Sequence, residues 1–253
     1  MEKCEAPRSR RGRVKTVAPE LTPINPARTE PVERQVYRSL RQALMQGRIP
    51  PGGTMTSRSL AEALNVSTQP VRDALKRLEA DGVLEGRPQS GFYLREIGQQ
   101  EFTEITEIRV RLEGLAGRLA ATRITPERLG LLRELNARYL DRPDTSWKLT
   151  LNHRFHFAIY LSADRPHLLA TIRNLWVRAG PALHQHPYTG APDTIVALHA
   201  TMIEALAQGD GAATEAAIRA DISGAADLIR PQLPHLVPLP SGETGDEADA
   251  LYG

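Results

Sequence analysis

Asn152 and His156 stand one helical turn apart and so share a helix face. His199 lies among apolar Val196, Leu198, Met202 and Ile203, and Asp221 lies between Ile218 and Ile222, each in a separate helical stretch. Side chains that project inward from separate helices are how bundles build metal centres. A mixed amide, imidazole and carboxylate set suits a divalent ion such as Zn²⁺, Ni²⁺ or Mn²⁺, with positions left for water or a ligand. Core histidines hydrogen-bonded to their neighbours fit the same spacing, and the spacing alone does not choose. Arg109 offers a second chemistry. Set between Ile105, Ile108 and Leu112, it can turn inward and clamp a carboxylate by a two-pronged, charge-assisted pair. Turned outward, it pairs with Glu113 at i, i+4. His153 is out of phase with His156 and is expected to be exposed.

A third chemistry lies nearer the N-terminus. Leu60, Ala61 and Leu64 form the apolar face of a short helix. Asn65 then supplies a residue that tolerates the left-handed turn between two helices. A second helix opens at Ser67 or Thr68, with Pro70 in its first turn. Val71, Ala74, Leu75 and Leu78 make its apolar stripe, and Thr68, Gln69, Arg72 and Lys76 lie opposite. Two short helices, a tight turn and a basic second helix describe a helix-turn-helix, whose second helix enters the DNA major groove. There Arg72 is placed for a bidentate guanine contact, worth roughly 1–3 kcal/mol of discrimination, and Gln69 for adenine. Arg58 sits beside the first helix, within reach of a phosphate or base. Val83–Glu85 and Gly91–Leu94, around the turn at Arg87-Pro88-Gln89-Ser90, predict a two-stranded wing whose tip, Gln89, Ser90 and Gly91, approaches the minor groove.

These groups require two kinds of scaffold. Thr29-Glu30-Pro31 reads as a cap with a first-turn proline, followed by Val32, Val36, Leu40, Ala43 and Leu44 at helical spacing. That helix should pack on the helix-turn-helix. From Glu101 to Arg230 the pattern is helical throughout. Starts at Thr125-Pro126-Glu127, Asp144-Thr145-Ser146, Pro166, Asp193 and Gly209-Asp210-Gly211 divide it into six amphipathic helices, an antiparallel bundle. The fold class is therefore mainly α, an N-terminal winged helix-turn-helix followed by an all-α bundle of about six helices. The expected organisation is a disordered basic arm over 1–28, a DNA-binding domain over 29–95 and a linker over 96–100. A helical effector-binding and dimerisation domain follows over 101–230, then a disordered tail over 231–253.

Composition agrees with this division. Residues 1–95 hold 17 Lys and Arg against 10 Asp and Glu, and the remainder 15 against 20. A basic half suits phosphate contact, and an acidic half other work. The single cysteine, Cys4, excludes an internal disulfide and a cysteine-based zinc finger. Met1 to Val17 is basic without an apolar core, so it does not read as a signal peptide. No stretch approaches the ~18 consecutive apolar residues of a membrane span, and a cytoplasmic protein is expected.

The segment from Val32 to Leu94 resembles the winged DNA-binding domain of the GntR family of bacterial transcription regulators. The likeness includes the helix Val36–Leu44 and the Gly47-Arg48-Ile49-Pro50-Pro51-Gly52 turn. Thr68 stands where family members often carry arginine, so an arginine–guanine contact does not carry over there. The helical half resembles the FCD effector domain of the FadR-type subgroup. Arg109-Val110-Arg111-Leu112-Glu113, Asn152-His153-Arg154-Phe155-His156 and Leu198-His199-Ala200-Thr201-Met202-Ile203 carry this likeness.

The resemblance implies DNA contacts at Arg58, Thr68, Gln69, Arg72 and the wing tip. It also implies an effector-contacting arginine at Arg109 and a divalent metal at Asn152, His156, His199 and Asp221. Asp221 takes a place that is usually histidine, which favours oxygen-preferring ions. The implied protein is no enzyme but a homodimeric regulator, most often a repressor, bound to an inverted-repeat operator in double-stranded DNA and answering to a small organic acid. Two alternatives remain at this point. One is a metal-dependent hydrolase joined to a DNA-binding head, although no acidic residue adjoins His156 in an H-E-x-x-H-like arrangement. The other is an architectural DNA binder with no ligand.

Overall fold

The computed structural model describes residues 21, 24–25, 29–46, 48–49, 54–88, 90–141, 144–185 and 192–236. Expectations that fall on other residues, which include most of the basic arm, Gln89 and the tail beyond 236, lie outside them.

The N-terminal part comprises α1 (Val32–Met45), β1 (Thr54–Met55), α2 (Ser57–Leu64), α3 (Thr68–Ala80), β2 (Leu84–Arg87) and β3 (Gly91–Leu94). Val36, Leu40 and Leu44 from α1 meet Leu60 and Leu64 from α2 and Val71, Leu75 and Leu78 from α3 in one buried cluster. Each such side chain stabilises the fold by roughly 1.5–3 kcal/mol through removal from water. The turn between α2 and α3 is set by Asn65 at φ 53°, ψ 49°. Gly82, at φ +73°, follows the end of α3.

Two details depart from the expectation. The wing sheet has three strands in the order β1-β3-β2, with Thr54 opposite Tyr93 and Met55 opposite Phe92. A two-residue strand is too short for alternation to reveal. The start of α1 is also not capped by Thr29. Pro31 occupies the cap position and has no side-chain acceptor, and the buried Gln35 reaches back instead. Its amide nitrogen donates to Glu30 O at 2.9 Å and Asn25 O at 3.0 Å, and its Oε1 accepts from Asn25 N at 3.1 Å. Leu21 and Ile24 pack beside the same core, so this part of the expected arm is docked.

The helical part comprises α4 (Gln99–Ala120), α5 (Pro126–Ala137), α6 (Thr145–Ser162), α7 (Pro166–Gln185), α8 (Pro192–Ala207) and α9 (Gly211–Ile229). Its local signals are physical: Thr125, Asp144 and Asp210 accept from Arg128 N, Trp147 N and Ala213 N at their helix starts. The helices α4 and α9 pack most extensively. Gly117 permits this, because a Cβ there would lie 2.2 Å from Ile218 Cδ1. α6 runs through the centre, and Phe155, His156, Phe157, Ala158, Ile159 and Tyr160 are all buried.

The two parts meet along α1 and α7. Val177 of α7 belongs to the winged core, and Arg41 Nη2 donates to Asn174 Oδ1 at 2.6 Å. A Cβ on Gly180 would lie 2.3 Å from Leu44 O of α1, so the two helix backbones approach with only a hydrogen between them. The connector is also packed. Ile97 is buried with Phe102, Leu175 and Leu183, and Glu101 pairs with both Arg95 and Arg178. Residues 233–236 lie over the start of α4, where Gln99 N donates to Pro234 O at 3.1 Å and Gln99 Nε2 to Leu233 O at 3.0 Å.

Candidate metal centre and nucleic-acid interface

The amphipathic pattern of α3 turns its apolar stripe into the core and leaves Thr68, Gln69, Arg72 and Lys76 exposed. Arg72 is exposed near the N-terminal end of the helix. Gln69 Nε2 donates to Asp73 Oδ1 at 2.9 Å, so pairing with a base requires exchange of that bond. Arg58 has a side-chain exposure of 87% and pairs with Glu62 at 3.1 Å. An exposed pair of this kind holds by about 1 kcal/mol or less, and a phosphate can displace it.

At the wing, Ser90 is exposed while Gly91 is half-buried. Gly91 has a structural reason to be glycine: φ is +92°, and a Cβ would lie 2.8 Å from Met55 O of β1. The sequence reading missed Arg87, which lies 4.6 Å over the Tyr93 ring and 3.2 Å from Glu85. The turn-residue pattern at 87–90 offered no sign that its side chain folds back on β3.

In the bundle, His156 from α6, His199 from α8 and Asp221 from α9 converge, with potential ligand atoms all within 4.8 Å of one another. His156 Nε2 meets Asp221 Oδ2 at 3.2 Å. His199 is 1% exposed. It stacks on Phe155 with ring centroids 3.8 Å apart and meets Tyr139 edge-on at 6.0 Å. Neither of its ring nitrogens has a hydrogen-bond partner among the described residues. An orphaned buried polar atom costs about 1–3 kcal/mol, and a divalent ion would occupy the lone pair of whichever nitrogen carries no proton. The donor set therefore fits such an ion. Burial, with nearby His156, pushes His199 down to about 3, which keeps it in the neutral form that ligates metals. Burial pushes Asp221 up, but the hydrogen bond and charge of His156 outweigh it and hold the carboxyl below its ordinary range. Asn152 is half-buried one turn before His156 on α6.

Arg109 settles between the two orientations read from the sequence. It points inward, 6% exposed, and its carboxylate partner is Glu113, with Arg109 Nε donating to Oε1 at 2.6 Å. The outward alternative had the right partner in the wrong place. Glu113 is fully buried. Its Oε2 accepts from Tyr160 Oη at 2.5 Å and Trp176 Nε1 at 2.9 Å, and the Arg109 guanidinium lies 4.7 Å over the Trp176 ring. Burial and the neighbouring Glu113 push the Tyr160 phenol well above its ordinary value, so it remains an O–H donor. From the sequence Glu113 was only the partner of an outward Arg109, and Tyr160 and Trp176 were not singled out. The available signals were the i, i+4 spacing of Tyr160 from His156 and of Glu113 from Arg109.

His153 requires a correction. Both its ring nitrogens are buried without a partner among the described residues, and the ring stacks on Phe157 at 4.3 Å. Phase predicts exposure only when one side of a helix faces water, and α6 is covered on most sides. Hollows bordered by described residues also lie elsewhere. One of about 730 Å³ runs between α4 and α9 past Arg111, Arg219 and Arg230. A polar one of about 410 Å³ lies between the end of α1 and the start of α6.

Residues 32–94 match the model for bacterial regulatory proteins of the gntR family, and residues 104–224 match the FCD domain. The HTH-type transcriptional regulator McbR of Escherichia coli K12 is 37% identical over 153 residues, which cover 59% of this chain and 69% of McbR. The HTH-type transcriptional repressor RspR of the same organism is 28% identical over 214 residues, covering 83% of this chain and 92% of RspR. The solved structure of E. coli McbR/YncC superposes with a TM-score of 0.74 at 29% identity, covering 81% of this chain and 99% of that one. These relatives are named as regulators, which sets the hydrolase alternative aside. Among the described residues, no helix is long and apolar enough to cross a membrane.

Proposed function

The chain belongs to the gntR family of bacterial regulatory proteins and carries an FCD domain, and on that premise we propose a homodimeric cytoplasmic repressor whose operator affinity is set by a small organic acid. The family binds DNA and regulates transcription. The finer reading is that two winged heads bind an inverted repeat, with Arg72 reading a base edge, Thr68 and Gln69 beside it, and Arg58, Gln89 and Ser90 on the flanks.

The sensor half rests on one observation: a buried imidazole, His199, with two unpartnered nitrogens beside His156 and Asp221. We assign these three, with Asn152, to a divalent ion. When bound, that ion supplies a Lewis-acidic position to which an acid's oxygen can bind. Arg109 is the cationic anchor on the facing helix, and a ligand carboxylate there must share or take over the place of Glu113. The acid changes DNA affinity only to the extent that it binds the two head arrangements differently.

Elemental analysis of the protein purified without chelator should find about one Zn²⁺, Ni²⁺ or Mn²⁺ per chain, lost in His156→Ala/His199→Ala; unchanged metal content in that variant would overturn the assignment. A thermal-shift screen of organic acids, with and without chelator, tests the effector class. Arg72→Ala should weaken specific binding by roughly 5- to 150-fold, the equivalent of 1–3 kcal/mol. Full affinity in that variant would remove Arg72 from the groove.

A further inference from the structure

Five buried or nearly buried side chains form one continuous polar chain through the bundle. Arg109 Nε donates to Glu113 Oε1 at 2.6 Å, and Tyr160 Oη donates to Glu113 Oε2 at 2.5 Å. Tyr160 Oη lies 3.2 Å from His156 Nδ1, and His156 Nε2 lies 3.2 Å from Asp221 Oδ2. The direction of this chain follows from its donors and acceptors. The single Tyr160 proton goes to the carboxylate, because Glu113 Oε2 only accepts. Toward Nδ1, Tyr160 therefore offers a lone pair, and Nδ1 is the donor. Nε2 is then the nitrogen turned to Asp221 and His199: without an ion it donates to Asp221 Oδ2, and a divalent ion takes the place of that proton.

We propose that Tyr160 and Glu113 are positioning residues for the metal centre, fixing the proton of His156 on Nδ1 and presenting Nε2 as the ligand atom. Metal-ligating histidines usually donate their second nitrogen to a carboxylate, carbonyl or water, and loss of that partner typically costs 10- to 100-fold in metal affinity. Here the tyrosine stands between imidazole and carboxylate, and Arg109 and Trp176 hold the carboxylate from its other sides. The arrangement also ties Arg109 to the centre: a group that draws Glu113 toward or away from Arg109 moves the acceptor on which Tyr160 depends.

This inference rests on the reading of His156, His199 and Asp221 as metal ligands, and the test separates the two. Chelator-stripped protein is titrated with Zn²⁺ alone, and its metal-free unfolding midpoint in urea is measured alongside. Four chains are compared: wild type, His156→Ala, Tyr160→Phe and Trp176→Phe. Tyr160→Phe and Trp176→Phe each remove one hydrogen bond to the same Glu113 oxygen, and both rings lie beside His156, with centroids 5.9 Å away in each case, but only Tyr160 has an oxygen within hydrogen-bond distance of Nδ1. Both should lower the metal-free midpoint. Tyr160→Phe alone should weaken Zn²⁺ by 10- to 100-fold, with Trp176→Phe within about twofold of wild type. Undiminished Zn²⁺ affinity in His156→Ala would overturn the metal reading itself. Loss in His156→Ala with retention in Tyr160→Phe, or equal loss in Tyr160→Phe and Trp176→Phe, would overturn the positioning role alone. Should Tyr160→Phe fail to fold, ¹⁵N-histidine spectra of the wild type decide it: an Nδ1 of His156 that carries no proton overturns the proposal.

Discussion

Replacing Gly180 by alanine sets two known effects against each other. In a helix interior the change favours folding by about 1 kcal/mol, because glycine is the more flexible chain in the unfolded state. At Gly180, however, the new methyl would lie 2.3 Å from Leu44 O, 3.1 Å from Leu44 C and 3.3 Å from Met45 Cα, all backbone atoms of α1. Relief requires a helix displacement of about 1 Å, and overpacking of this kind costs typically 1–3 kcal/mol. The clash outweighs the gain, and the net loss should be up to about 2 kcal/mol. Gly130 of α5 provides the control, since nothing lies within 4 Å of its added Cβ; alanine there should stabilise by about 0.5–1 kcal/mol. In a domain of this size 1 kcal/mol moves the melting temperature by about 2–4 °C, so the two variants should move in opposite directions. Thermal and urea unfolding followed by circular dichroism measure both. A melting temperature for Gly180→Ala that rises as far as that of Gly130→Ala would show that α7 is not seated against α1.

Three further outcomes are expected. Asn65→Ala should lose about 1–2 kcal/mol, because the residue holds φ 53°, whereas Asn65→Gly should not; equal losses in urea would refute the left-handed turn. Gly91→Ala should lower the melting temperature as well as DNA affinity, because its Cβ meets Met55 O at 2.8 Å, and loss of DNA affinity at unchanged stability would make Gly91 a contact residue instead. With chelator present, stability should fall as pH drops below about 6.5, because burial holds His199 at about 3 and His153 at about 4. The unfolded chain binds more protons in that window, so stability is complete above it, and the loss from pH 7 to 5 is about 2 kcal/mol per histidine. His153→Leu should halve that pH dependence, and an unaltered urea-midpoint profile would count against burial of the His153 ring nitrogens.

The helices were legible because their signals are local. Apolar spacing, the caps Thr125, Asp144 and Asp210, and the left-handed Asn65 all act within a turn or two of chain. The meeting of His156, His199 and Asp221 was legible through family likeness and helix phase together. What was missed depends on elements distant in sequence. Val177 reads as one more bundle residue until α1 is placed beside it. Glu113 reads as a surface acid because its three donors come from α4, α6 and α7. A buried carboxylate persists only where such donors gather, and no local pattern marks their gathering. His153 failed for a related reason, since its phase on α6 is clear but the covering of that helix is not.

Adjacent residues of α7 serve different interiors: Trp176 bonds to Glu113 within the bundle, and Val177 fills the winged core. Helix recombination between related regulators is therefore constrained at this point. A hybrid that joins this DNA-reading head to a relative's bundle imports a foreign α7 against Leu44, and a bundle moved to another head leaves Val177 and Gly180 facing an unmatched α1. The seam along which such proteins can be cut and rejoined thus includes one face of a helix that begins more than sixty residues beyond the connector.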